Sequence, residues 1–247
     1  MEREQGTRHP RTRRGFLNSA AVAGAGIAAA SFVPTVGIGT AGDLAEAAGS
    51  STEDVAAIVN LITTAEMLAV TFYYATLTGA TFHIDERAVE SLTVAMDAEM
   101  SHLDTLRSLH GRSMRDHFYL PDRMLSDARV FVNTGVTIET TLAGAYLAAT
   151  RQFAVRGRPL LAATAALHAA SAAQHLTLIG HLAGLQAQDL TMSTPAFHHV
   201  SDAARALAPF LAGGTGFNEP TSFPSARQYR AAHEAITAER MQPAVKK

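Results

Sequence analysis

The sequence predicts an all-α protein: a four-helix bundle made of two antiparallel hairpins, followed by short C-terminal helices. Three observations carry this. Four long stretches place apolar residues at helical spacing, and none alternates as a β-strand would. The links between them run short, long, short. Polar residues inside the stretches repeat as Glu66, Glu99-x-x-His102, Glu139 and Ala172-x-x-His175, with 33 residues from Glu66 to Glu99 and again from Glu139 to position 172.

The first helix opens at Ser51 or Thr52, carries Glu53 and Asp54 in its first turn, and ends before Gly79. The second is capped by Asp85 and stops at Gly111, with Val89, Leu92, Met96, Leu103 and Leu106 on the side of Glu99 and His102. The third starts at Ser126-Asp127 and reaches Val155, before Gly157. Pro159 suits the first position of the fourth, which is expected to continue to Gln188. A turn at Met192-Ser193-Thr194-Pro195 leads to a shorter helix from Ser201 to Leu211. A loop rich in Gly and Pro follows, then a last helix from Ser225 to Arg240, where Ser225-x-x-Gln228 forms a capping box.

The links set the topology. The first two helices are joined around Gly79 to Ile84 and the last two around Arg156 to Arg158, whereas residues 111–125 have room to cross the length of a bundle. Glu66 and Glu99 each lie about 21 Å from the start of their helices at ~1.5 Å per residue, so antiparallel neighbours bring them level. Glu139 and position 172 repeat the arrangement, and each Glu-x-x-His spacing keeps both side chains on one face.

Burial follows from the neighbours. Glu66 is the only charged residue from Val55 to Ile84, and Glu139 is the only one from Val130 to Thr150. From Pro159 to Gln188 there is none; Ser171, Gln174, the histidines and frequent Ala point to a buried helix rather than a membrane span. A lone buried carboxylate costs several kcal/mol unless a cation or a proton neutralises it. Five polar groups on one plane, Glu66, Glu99, His102, Glu139 and His175, therefore predict a metal site. Carboxylates protonated or bonded to the histidines are the plainer alternative. Tyr73, seven residues after Glu66 and so on its face, has two readings, a donor to the site or a core residue, and is taken as core. His168, four residues before Ala172 on the same face, has two as well, reaching into the gap left there or a core histidine bonded to a neighbouring helix, and is taken as the latter. His83 and His110 sit near helix ends, and His181, His198 and His199 have no partner at ligand spacing.

Composition sets limits. The 247 residues are 47% hydrophobic and 17% charged, with net charge −2 and no basic stripe, so no nucleic-acid partner is expected. With no cysteine, thiolate zinc sites and iron–sulfur clusters are excluded, and ligands of Glu, His and water suit iron or manganese.

Thr12-Arg13-Arg14-Gly15-Phe16-Leu17 resembles a twin-arginine signal, followed by an uncharged Ala- and Gly-rich segment from Ser19. The resemblance implies export by the twin-arginine translocation machinery to the periplasm, cell envelope or exterior, with no stable membrane span after signal removal. The expected organisation is a signal and linker at 1–48, the bundle at 49–191 and a helical extension at 192–247.

The segments Ala65-Glu66-Met67-Leu68 with Phe72-Tyr73, Ala98-Glu99-Met100-Ser101-His102, Ile138-Glu139 and Ala173-Gln174-His175 resemble the ferritin-like superfamily, especially exported members related to plant desiccation-related proteins. Pro195-Ala196-Phe197 and Leu207-Ala208-Pro209-Phe210 look like the tail of those proteins, so the resemblance covers about residues 52–211. It implies a ferritin-like bundle, with a homo-oligomer as one option for its assembly, and two iron or manganese ions doing oxygen or peroxide chemistry. Carried over by position, Glu66 and His102 serve the first ion, Glu139 and His175 the second, and Glu99 bridges. Position 172 should supply the other bridge, and Ala cannot. One ion is then well held and two are less well neutralised, so the rival expectation is a non-catalytic stress-protection protein with a vestigial site.

Overall fold

The computed structural model describes residues 53–186 and 194–240. The proposed export signal and its linker lie outside the described residues. Four long helices, α1 (Val55–Gly79), α2 (Glu86–Ser108), α3 (Ala128–Val155) and α4 (Pro159–Leu182), are followed by α5 (Val200–Ala206), α6 (Ala208–Ala212) and α7 (Ala226–Arg240). α1 packs on α2 and α3 on α4, and the two pairs meet through α1 with α3 and α2 with α4.

Local chemistry sets the ends. The carboxylates of Asp54, Asp85 and Asp127 accept from the backbone N–H of Ala57, Ala88 and Arg129, and Pro159 opens α4 where no N–H is needed. The first helix therefore begins at Val55, under an Asp cap, rather than at Ser51 or Thr52. α2, α3 and α4 end alike. The N–H groups of His110, Gly157 and Gly184 bond back to Arg107, Ala154 and His181, and those of Gly111, Arg158 and Leu185 to Leu106, Phe153 and Gly180. His110, at φ 63°, occupies the left-handed position that Gly157 and Gly184 fill in the other two, so its place near the helix end is a capping one. Gly184 also explains why α4 stops at Leu182 instead of Gln188: the chain turns left-handed there.

α1 is the central element, with Ile58, Ile62, Leu68, Phe72 and Tyr73 fully buried. The hydroxyls of Thr63, Thr71 and Thr76 donate to carbonyls four residues back, so the interior of this helix leaves no hydroxyl unpaired. Among the described residues it is the one helix long and apolar enough to cross a membrane, and 72% of that window is buried inside the fold. The expectation of a buried α4 is half right. Ala162, Ala165, Ala169, Ala172 and Ile179 face the core, but Leu160 is 83% and Leu167 72% exposed. Absence of charge does not imply burial here; α4 shows solvent an uncharged, Ala-rich face.

The link between α2 and α3 is tied down by the C-terminal segment. Its residues His117–Phe118 (β1) pair antiparallel with Thr221–Ser222 (β2), and Tyr119 and Asp122 donate to the carbonyls of Phe210 and Gly216. No strand was expected, because a two-residue pairing is too short to show alternation. The helix expected from Ser201 to Leu211 is broken at Leu207, since Pro209 has no N–H with which to continue it. Gly144 on α3 lets Phe197 seat closely: a Cβ there would lie 2.7 Å from the Phe197 ring. Glu53 joins three ends, accepting from Gln152 on α3 and from the N–H of Ser201 in α5, while its carbonyl accepts from Arg156.

Candidate metal centre

All five expected residues converge at the middle of the four long helices. α1 brings Glu66, α2 Glu99 and His102, α3 Glu139, and α4 His175. The three carboxylates are at most 1% exposed, and the His102 and His175 side chains 12% and 10%. The imidazole edges are thus the part of the cluster nearest solvent.

Glu99 is the hub. Its Oε2 lies 2.8 Å from His102 Nδ1 and its Oε1 2.6 Å from His175 Nδ1. His102 Nδ1 is also 3.4 Å from Glu66 Oε1, and His175 Nδ1 3.6 Å from Glu139 Oε1. The chain thereby places one carboxylate between two Glu–His pairs. Ala172 is 1% exposed, so its methyl group sits in the core where the repeat calls for a fourth carboxylate.

Two tyrosines complete the cluster. Tyr73 on α1 donates to Glu139 on α3 at 2.5 Å, and Tyr146 on α3 donates to Glu66 on α1 through a short hydrogen bond. This reciprocal clasp requires α1 and α3 to run antiparallel, because each tyrosine lies seven residues beyond the glutamate of its own helix. Tyr73 is therefore a hydrogen-bonding member of the site as well as a core residue. Tyr146 was missed, although a signal for it exists: it stands 73 residues after Tyr73, the same offset that relates Glu66 to Glu139 and His102 to His175. Replacing either tyrosine by Phe is expected to cost about 1–3 kcal/mol, because a buried carboxylate oxygen loses its donor. Urea melts of both variants against wild type check this; equal midpoints would show the clasp to be idle.

His168 also belongs here. Its Nδ1 is 3.1 Å from the Tyr146 hydroxyl, as expected of a histidine bonded to a neighbouring helix. Its ring stacks on His102, with centroids 4.0 Å apart. Two sets of donors result, Glu66 with His102 and His168, and Glu99 with Glu139 and His175; within each set the ligand atoms lie within 4.8 Å of one another. By contrast, His181 stays exposed on α4, and His199 ends the turn before α5, where its N–H donates to Asp202.

Electrostatics follow from burial and contact. Burial, with Glu99 beside it, pushes Glu66 up to about 8 against the pull of His102. Burial likewise raises Glu139, opposed by His175 and Tyr73. For Glu99, burial and Glu139 push upward, but hydrogen bonds from His102 and His175 outweigh them and hold it below the ordinary value. Burial would lower both of those histidines, yet the carboxylates win and take each up to about 10. His168 has no such carboxylate bond, and burial beside His102 lowers it to about 4.

A pH dependence results. Folded His102 and His175 keep protons to about 10 that the unfolded chain gives up near 6.5, and folded Glu66 keeps its proton to about 8 rather than 4.5. The folded state thus binds more protons than the unfolded across this range, so stability falls as pH rises. Chelator-treated protein is expected to melt progressively lower from about pH 6 to about pH 9, with the metal-loaded form spared because its ligands are already deprotonated. A flat profile after chelation would contradict a buried network of these charges.

The cluster belongs to the class of buried carboxylate–imidazole sites that can hold a metal ion. Compared with known proteins, the chain matches no family model, no curated protein and no solved structure.

Proposed function

We propose that the protein is an exported ferritin-like protein whose helical core binds iron or manganese through Glu66, Glu99, His102, Glu139 and His175. The observation that carries this is the state of the carboxylates: Glu66 Oε2 and Glu139 Oε2 are buried, one on each side of Glu99, and have no hydrogen-bond partner among the described residues. An orphaned buried carboxylate oxygen is costly, and a divalent cation is the partner its neighbours are arranged to share. The donor set of carboxylate and imidazole without thiolate fits iron or manganese. Four long helices with a long second link support the ferritin-like arrangement, and Thr12-Arg13-Arg14-Gly15-Phe16-Leu17 supports twin-arginine export.

The residues have distinct parts in such a centre. Glu99 is placed to be shared between two ions. Tyr73 and Tyr146 each occupy one oxygen of a carboxylate and leave the other, buried Oε2 without a donor. His102 and His175 give up protons when they ligate, so binding releases protons and tightens as pH rises. When bound, iron or manganese supplies Lewis-acid and redox capacity toward oxygen or peroxide.

Ala172 favours a second reading, a non-catalytic envelope or stress-protection protein whose old site persists as a polar core. Metal analysis of the protein purified from its own compartment separates the two. A stoichiometric ion, with a melting temperature raised by added Fe(II) or Mn(II), is the expected result. No ion and no thermal response would leave the structural reading.

A further inference from the structure

The two halves of the cluster differ at two positions, and the differences answer each other. An offset of 73 residues relates Glu66, Tyr73 and His102 to Glu139, Tyr146 and His175, but it also relates Ala95 to His168 and Glu99 to Ala172. The first half carries Ala then Glu; the second carries His then Ala. Positions 168 and 172 are four apart on α4 and share a face. The lost carboxylate is thus matched by an imidazole one turn earlier, and that imidazole reaches the centre, stacked on His102 and within 4.8 Å of donor atoms of Glu66 and His102.

We propose that His168 is a metal ligand, completing a two-histidine, one-carboxylate subsite with Glu66 and His102 that differs from the two-carboxylate, one-histidine subsite of Glu99, Glu139 and His175. This rests on the metal-binding reading above. It adds that the centre is unsymmetrical by construction and that the substitution at 172 is compensated rather than merely lost.

Hydrogen bonding supports the role. Tyr146 gives its hydroxyl proton to Glu66, so toward His168 its oxygen can only accept. His168 then carries its proton on Nδ1 and leaves Nε2 as the nitrogen with a free lone pair, the tautomer control that ligating histidines receive from an outer partner. Two donors at about 2.1 Å from one ion stand no more than about 4.2 Å apart, so the set needs only a small closure to bind. Exchanging a carboxylate for a neutral imidazole also changes the charge. Three carboxylates face two divalent ions, which leaves one positive charge for a hydroxide or a small external carboxylate to balance.

Titration of the full-length chain with Co(II), followed by visible absorption and calorimetry, tests the assignment. Wild type is expected to show two classes of site. His168→Ala should weaken one class by about tenfold or more and leave the other within about twofold, and free imidazole should restore the weakened class. Unchanged affinities, or equal weakening of both classes without imidazole rescue, would overturn the proposal. Should His168→Ala fail to fold, the Co(II)-loaded wild type decides by proton NMR. A hyperfine-shifted exchangeable imidazole proton assigned to His168 supports ligation, and its absence refutes it. Wild type that binds no Co(II) at all would remove the metal centre itself, an outcome distinct from loss of the His168 subsite alone.

Discussion

Glu99→Gln is expected to lower the stability of chelator-treated protein by about 3–5 kcal/mol near pH 7. The side chain keeps its volume, so no cavity contributes. What is lost is the anion. Glu99 accepts from both His102 and His175, and its charge helps hold both imidazoles protonated in a buried position. An amide supplies one oxygen where the carboxylate supplied two, and turns an NH₂ toward an imidazole N–H. For a domain stabilised by roughly 5–15 kcal/mol in total, that is a large share. Metal affinity should fall by more than the ~10–100-fold typical of outer partners, because a donor of one set that is also bonded to His102 of the other is gone. Denaturant melts with and without chelator, together with a Co(II) titration of the variant, measure both effects. Wild-type values for Gln would mean that Glu99 is not the shared anion.

Ala172→Glu should act in opposite directions with and without metal. Without it, a fourth carboxylate enters a position that is 1% exposed, in a core that already buries three, at a cost of several kcal/mol. With it, four carboxylates neutralise two divalent ions, and the weaker ion should bind more tightly. Metal occupancy should rise toward two per chain, each tenfold gain in affinity being worth about 1.4 kcal/mol of added stability at saturating metal. Melting temperatures in chelator and in excess Mn(II), paired with elemental analysis, report the crossing. A variant that is destabilised yet takes up no more metal would show that residue 172 does not face the ions.

The site was legible in the sequence to the extent that helix geometry alone could place it. A 33-residue step, repeated, put Glu66 level with Glu99 and Glu139 level with position 172, and the i, i+3 spacing kept His102 and His175 beside them. Asp85, Asp127 and Pro159 marked their helix starts correctly because a cap acts within one turn. Gly184 is an equally local signal: its left-handed backbone ends α4 at Leu182, short of the Gln188 that apolar spacing alone predicts.

The misses have one physical origin. Tyr73 lies on the face of Glu66, but its hydroxyl reaches Glu139 on another helix, and Tyr146 makes the return bond. Which carboxylate a tyrosine meets depends on how α1 is rotated and displaced against α3, and no periodicity within one helix contains that. The same holds for His168 against His102, for β1 with β2 across a separation of about a hundred residues, and for the exposed face of α4.

By itself, then, the sequence determined the helices, most of their ends, the absence of thiolate chemistry and the five groups gathered at mid-height, because propensity, capping and residue inventory act over a few neighbours. Tertiary packing decided the rest: that Glu99 is the shared anion, that two tyrosines clasp α1 to α3, and that His168 stands beside the place where Ala172 lacks a carboxylate. Those are properties of distances between helices, fixed only when apolar faces close around charged groups that must find partners inside.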